Sequence, residues 1–226
     1  MSESVVLDKN NFDHALARAS QLINSGGVGV IAAEHGYLYV TNAFDEEAVN
    51  RIHTLRGDPE FRALQVIVGS AAEVTNLAED FDTELMLLAS EFWPGMLSIY
   101  VKTASQVNWD LGDHGESDEF AVRIPSRTFL QTLAQTSGPL AVASAAIAGA
   151  RPTGEINFVP ALSSQIAIYI DEGELASGPP STILRRKVLG AQGGLEVVRE
   201  GAISIKQLQK VLPALGLGMN VGSSAE

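Results

Sequence analysis

Cysteine is absent from this chain of 226 residues, which excludes disulfides, thiol nucleophiles and cysteine metal sites. Long apolar runs are absent too: nothing approaches the roughly 18 consecutive residues that a membrane span needs. The opening Met1-Ser2-Glu3-Ser4 lacks the basic flank and apolar stretch of a signal peptide. Together these absences lead to the expectation of a cytoplasmic protein with no membrane partner. Positive charge is scarce, with 15 Lys and Arg against 27 Asp and Glu and a net charge of −12. Nucleic-acid binders draw much of their affinity from phosphate neutralisation, so the overall field disfavours autonomous binding of tRNA or double-stranded RNA. A local basic groove stays open, built from Arg56, Arg62, Arg123, Arg151 and Arg199. His14, His35, His53 and His114 lack metal-ligand spacing, and there is no Walker loop, G-x-S-x-G or G-x-G-x-x-G. No metal site is expected.

Apolar residues are plentiful, at 46% against 19% charged, enough for a substantial core and against wholesale disorder. The length suits one large domain, placed at residues 1–212, and residues 213–226 read as a flexible tail of small residues. Phe12, Ala15, Leu16, Ala19, Leu22 and Ile23 fall at helical spacing, with Gly26-Gly27 able to close the helix. Strands are predicted over residues 28–32, 37–40, 64–68, 97–102, 120–124, 140–144, 166–170, 182–184 and 195–198. Further helices are predicted after Asp45, over 83–92 up to Pro94-Gly95, from Pro125-Ser126 to 136, and from Ser204 to 212. Residues 110–119 read as an acidic, solvated and mobile loop. Some strands are joined too tightly for crossovers. The expected fold class is therefore α/β, a single domain with a twisted mixed parallel and antiparallel sheet flanked by helices around a concave cleft.

Three short words stand out: Phe92-Trp93-Pro94-Gly95, then Ala121-Val122-Arg123-Ile124-Pro125, then Ser181-Thr182-Ile183 followed after a strand by Arg199-Glu200-Gly201-Ala202. Each is weak alone. In this order, the chain resembles the threonylcarbamoyl-AMP synthases, the YrdC-like family, over roughly residues 10–212. The resemblance implies the YrdC-like fold and a reaction that prepares a group for adenosine in certain tRNAs. Threonine's amine captures bicarbonate as a carbamate, whose oxygen attacks the α-phosphate of ATP and expels pyrophosphate. The implied ligands are ATP with magnesium, threonine and bicarbonate. Such a site must neutralise a triphosphate, hold a carboxylate and keep a mixed anhydride from water. Cations and aligned donors do most of that, with no nucleophilic side chain required.

The segment Ala32-Ala33-Glu34-His35-Gly36-Tyr37-Leu38 aligns with the family's P-T-[DE]-T-V-Y-G and keeps Glu34 and Tyr37. Tyr37 reads either as a substrate contact or as a core aromatic, and His35 as structural. Arg56-Gly57-Asp58-Pro59 with Ala63-Leu64 aligns with K-G-R-P and a later P-L. Arg56 keeps a charge for phosphate; Asp58 reverses the second one and reads as a turn stabiliser before a magnesium ligand. Ser144-Ala145-Ala146-Ile147-Ala148-Gly149 aligns with S-A-N-x-S-G, with alanine for the asparagine and for the second serine. Ser181-Thr182-Ile183 matches S-T-I, Arg199 matches the arginine of R-x-G-A, and Arg123 matches as well. The resemblance thus implies nucleotide or phosphate binding by Arg56, Ser144, Ser181 and Arg199, and substrate binding by Tyr37, Arg123 and Thr182. A structural ion pair is the alternative for Arg123 and Arg199. The Trp93-Pro94-Gly95 turn is expected to shape the cavity wall.

Departures from the family collect at these words, in Ala33, Asp58, Ala146 and Ala148. At an effective dielectric of about 20, one pair of unit charges about 4 Å apart interacts by roughly 4 kcal/mol, so the reversal at Asp58 is costly beside a triphosphate. Three functions follow. The chain is a divergent paralogue that holds a nucleotide or another anionic small molecule with weak or lost synthase activity, or an active synthase, or an RNA-binding module. The four departures favour the first.

Overall fold

The computed structural model describes residues 2–59, 62–150, 152–159, 163–189, 192–215 and 218–220. In chain order it runs β1 (Glu3–Val6), α1 (Phe12–Asn24), β2 (Gly29–Ala33), β3 (Gly36–Asn42), α2 (Glu46–Arg56), β4 (Gln65–Ile67), α3 (Ala71–Leu77) and α4 (Thr83–Phe92). It continues with β5 (Leu97–Lys102), β6 (Glu119–Arg123), α5 (Thr128–Ser137), β7 (Leu140–Ser144), β8 (Ile168–Asp171), β9 (Thr182–Leu189), β10 (Gln192–Arg199), α6 (Ile205–Val211) and β11 (Gly218–Asn220). The strands form one mixed sheet in the order β1-β8-β2-β3-β7-β4-β6-β5-β9-β10-β11. Pairs β2–β3, β3–β7, β4–β7, β5–β6 and β9–β10 are antiparallel; β1–β8, β2–β8, β4–β6, β5–β9 and β10–β11 are parallel. The expected fold class is the one found.

Alternation along the strands sets the layers. Tyr37 and Tyr39 of β3 join one buried cluster, while Leu38 and Val40 pack with the other. A sheet buried on both faces needs cover on both. On one face α1 and α5 supply it through Ala15, Ala19, Ile23, Phe129, Leu130 and Leu133. On the other, Ile52 of α2, Val74 of α3, Leu85 of α4 and Leu208 of α6 are buried.

Helix ends follow the sequence signals. Asp45 accepts from the Ala48 N–H (2.9 Å) and Asp82 from the Leu85 N–H (3.1 Å), each capping a helix start. Gly57 closes α2 at φ +62°, left-handed backbone that favours glycine. Ser204 and Gln207 form a reciprocal capping box on α6.

Three elements were not anticipated: β1, α3 and β11. β1 is four residues long with every other side chain exposed, and only Val5 and Val6 of its residues are apolar. A 3-10 turn at Leu212–Leu215 leads into the segment read as a tail, and within that segment β11 pairs parallel with β10. The acidic segment 110–119 is internally tied: Asp110 Oδ1 accepts from the Gly112 N–H (2.8 Å) and the His114 N–H (3.1 Å), and Asp113 is buried. No helix among the described residues is long and apolar enough to cross a membrane.

Candidate functional site

Strand register brings the sequence words together. Ala33 pairs with Gly36, Leu38 with Ser144, Gln65 with Val142 and Leu97 with Thr182. The result is a cleft of about 560 Å³ whose lining includes Arg56, Arg123, Ser144, Ser181 and Arg199. Five residues drawn from across the chain thus face one cavity, as the sequence words imply. Ala33, Glu34, His35, Asp58, Arg62 and Tyr100 line it too. Arg151 lies outside the described residues.

Arg56 sits at the C-terminal end of α2, and the left-handed turn at Gly57 swings Asp58 back toward it. Its Nε donates to Asp58 Oδ2 (2.7 Å), and its Nη1 donates to the Ser144 and Ala146 carbonyls (the latter 3.1 Å). The Asp58 side chain is 1% exposed. His53 Nδ1 lies 3.1 Å from the same Oδ2, while Oδ1 is buried without a hydrogen-bond partner among the described residues. Asp58 is therefore more than a turn residue: it holds the arginine expected to meet phosphate.

Arg123, at the end of β6, makes a two-pronged pair with Glu34: Nη1 to Oε1 at 2.8 Å and Nη2 to Oε2 at 3.0 Å. It also donates to the Gly95 carbonyl (3.3 Å), which is how the Trp93-Pro94-Gly95 turn reaches the cleft. Trp93 itself donates to the Leu97 carbonyl (2.6 Å) and stacks on Phe81. Glu34 Oε1 further accepts from the Ser126 N–H (2.8 Å) and hydroxyl (3.2 Å). Burial pushes the Glu34 carboxyl up, but the Arg123 charge and these hydrogen bonds outweigh it, and the group is held below its ordinary value. The ion pair weighed as the alternative for Arg123 is present.

Arg199 differs. Its guanidinium donates to the Ser181 carbonyl (Nη2, 2.9 Å) and to Ser181 Oγ (3.2 Å), and Ser98 Oγ donates to Ser181 Oγ (2.9 Å). No carboxylate pairs with Arg199 or with Arg62 among the described residues. The residue is exposed overall, but partial desolvation of its guanidinium lowers that group below its ordinary value. Gly201 is needed beside it, because a Cβ there would stand 2.2 Å from the Pro180 carbonyl oxygen.

Two of the expected substrate contacts point elsewhere. Tyr37 is fully buried; its hydroxyl donates to the Gly173 carbonyl (2.8 Å), accepts from the Glu172 N–H (3.0 Å) and lies 3.1 Å from Asp171 Oδ1. Burial pushes that phenol up to about 12. Thr182 is also fully buried. Its hydroxyl donates to the Ile203 carbonyl (2.6 Å) and accepts from the Gly201 N–H (2.9 Å) and the Ile203 N–H (3.0 Å), fixing the turn that follows Arg199. Neither side chain is in the cleft lining. Both support its walls. The reason is parity: Tyr37 neighbours Leu38, and Thr182 lies between Ser181 and Ile183, and those neighbours are the ones that face the cavity.

Of the four departures, Ala33 and Asp58 line the cleft, Ala146 enters it only through the carbonyl that holds Arg56, and Ala148 stays outside the lining with its N–H donating to the Arg56 carbonyl (2.8 Å). Sequence reasoning missed Tyr100, which carries no motif and lines the cleft with the Arg185 guanidinium 4.2 Å from its ring centre. It also missed the partner role of Glu34, visible only as a kept motif position. His35 lines the cleft with Nδ1 2.9 Å from the Pro179 carbonyl oxygen.

Comparison with known proteins places this geometry. A Mycobacterium tuberculosis protein provisionally designated a threonylcarbamoyl-AMP synthase is 30% identical over 207 residues, 91% of this chain and 92% of its own. The threonylcarbamoyl-AMP synthase of Pyrococcus abyssi is 29% identical over 196 residues, which are 86% of this chain and 56% of that protein. A double-alanine variant of P. abyssi Sua5 superposes with a TM-score of 0.84 at 25% identity, covering 97% of this chain and 66% of that one. Escherichia coli YciO, at 21% identity, shares the fold with a TM-score of 0.75 over 92% of this chain and 99% of its own. The model of the Sua5/YciO/YrdC family, described as telomere recombination, matches residues 21–201. Sheet order, cleft and sequence words thus converge with these matches, and the chain belongs to the Sua5/YciO/YrdC family.

Proposed function

We propose that this chain is a divergent relative of the threonylcarbamoyl-AMP synthases, whose cleft holds a nucleotide or another anionic small molecule and whose synthase activity is weak or lost. The observation that carries the reading is the clamp on Arg56. Asp58 takes its Nε and two backbone carbonyls take its Nη1, so a triphosphate arriving there meets a neutralised arginine and a carboxylate. An anion near that carboxylate loses the attraction that a second cation in its place would supply.

In the synthase reaction ATP, threonine and bicarbonate would share the cleft, and the residues would act by orientation and charge alone. Arg199, oriented by Ser181 and free of a carboxylate among the described residues, is the cation best placed to meet phosphate. Magnesium would neutralise phosphate charge and template the displacement. Among the described residues no three acidic or histidine side chains cluster as ligands, so the ion would arrive with the triphosphate, whose oxygens supply much of its coordination.

A second reading, the active synthase, draws on two observations: Arg123, Ser144, Ser181 and Arg199 line one cavity, and the similarity to the mycobacterial relative runs through nearly the whole chain. Pyrophosphate release from ATP, threonine and bicarbonate separates the two. Release near background supports divergence. Turnover matching the P. abyssi synthase and abolished by Arg199→Ala would overturn it in favour of the active enzyme.

A further inference from the structure

The charged groups of the cleft do not balance as a triphosphate site needs. Among its described lining, Arg56, Arg62, Arg123 and Arg199 face two carboxylates, Glu34 and Asp58, and no lysine. Both carboxylates are already spent on arginines, Asp58 on Arg56 at 2.7 Å and Glu34 on Arg123 at 2.8 Å. Among the described residues, two positive charges remain unmatched, on Arg62 and Arg199. The Asp58 Oδ1 oxygen adds negative potential at the Arg56 wall, because no donor among the described residues answers it there.

A phosphate monoester carries about two negative charges at neutral pH, and each further phosphoryl group adds about one more. The unmatched cations therefore equal the charge of one terminal phosphate. The extra charge of an uncomplexed triphosphate would have to settle near two carboxylates, in a partly enclosed cleft where screening is weakened.

Resting on the reading of the cleft as a nucleotide site, we infer that this chain prefers a nucleotide with a single phosphate, of the nucleoside monophosphate class, over the corresponding triphosphate. Arg62 and Arg199 supply the attraction. Asp58 is the specificity-determining residue, acting by occupying Arg56 and by repelling additional phosphate.

Calorimetric titration of the purified full chain with AMP and with ATP, both in excess EDTA, tests this. AMP is expected to bind about tenfold more tightly or better, a factor worth about 1.4 kcal/mol. Magnesium, by neutralising part of the triphosphate, should narrow the gap. Asp58→Asn should narrow it as well, and chiefly by strengthening ATP binding. Arg199→Ala and Arg62→Ala, both at exposed positions, should each weaken AMP about tenfold without unfolding the chain, and they serve where Asp58→Asn fails to fold. ATP binding as tightly as AMP in EDTA overturns the inference while leaving the cleft a nucleotide site. Unchanged AMP affinity in both arginine variants overturns the charge account. Failure of both nucleotides to bind the parent at millimolar concentration removes the nucleotide reading, and the inference with it.

Discussion

Truncating Arg123 removes one half of a buried pair. Its side chain is 6% exposed and that of Glu34 is 10% exposed, so Arg123→Ala leaves a carboxylate with little water to turn to. Breaking a buried pair from one side typically costs about 3–5 kcal/mol. The structure argues for the low end, because Glu34 Oε1 keeps the Ser126 N–H and hydroxyl while only Oε2 loses its partner. A loss of about 3 kcal/mol is expected, which at a urea m-value of about 2–3 kcal/mol per molar moves the midpoint by roughly 1 M. Glu34→Gln keeps the shape but discards the charge, leaving Arg123 with the Gly95 carbonyl and a neutral amide. Its cost is expected near 2 kcal/mol. Because both changes act on one pair, the double variant should be more stable than the sum of the singles predicts, by about 1 kcal/mol or more. Equilibrium urea unfolding of the four proteins, followed by fluorescence and circular dichroism, measures all three quantities. Strict additivity, or an Arg123→Ala cost below about 1 kcal/mol, would refute the claim that Arg123 is spent on Glu34. It would return Arg123 to the set of residues free to grip a ligand.

Acid should act through the same pair. The folded carboxyl of Glu34 titrates below its ordinary 4.5, so its contribution is complete above that value and is lost as pH falls through the lowered one; the parent should therefore lose more stability between neutral pH and that range than Glu34→Gln does in parallel urea titrations. Tyr37→Phe leaves the Glu172 N–H without its hydroxyl acceptor and the Gly173 carbonyl without its donor, so stability should fall by about 1–3 kcal/mol, read as a urea midpoint, while affinity for AMP or ATP stays within error of the parent; a large loss of affinity in a stably folded variant would put Tyr37 back in the site.

Much of this was legible in the sequence where one physical signal sufficed. The strand at Leu97–Lys102 and that at Leu140–Ser144 carry short apolar runs between breakers, and the Thr83–Phe92 helix has a capping aspartate before it and Pro94-Gly95 after it. Those elements lie where local chemistry places them. The cleft was legible because its words fall at strand ends and in the turns beside them, so that any sheet pairing them edge to edge brings Arg56, Ser144, Ser181 and Arg199 to one cavity. What stayed hidden depends on parity and on distance. A motif fixes which residues are near the site, but alternation decides which of two neighbours faces it, and Tyr37 and Thr182 fell on the far side from Leu38 and Ile183. The pairing of Glu34 with Arg123 joins positions 89 apart in the chain, and no local spacing announces it. The change at Asp58 shows both limits together. Sequence alone made it a reversed charge, to be reckoned against a ligand. The structure makes it first a partner for Arg56 two residues away, so its effect on phosphate works by occupying a cation as well as by repulsion. Restoring a positive charge at 58 would therefore free Arg56 and add a second cation at once, and the gain for a triphosphate should exceed what removing the carboxylate alone provides.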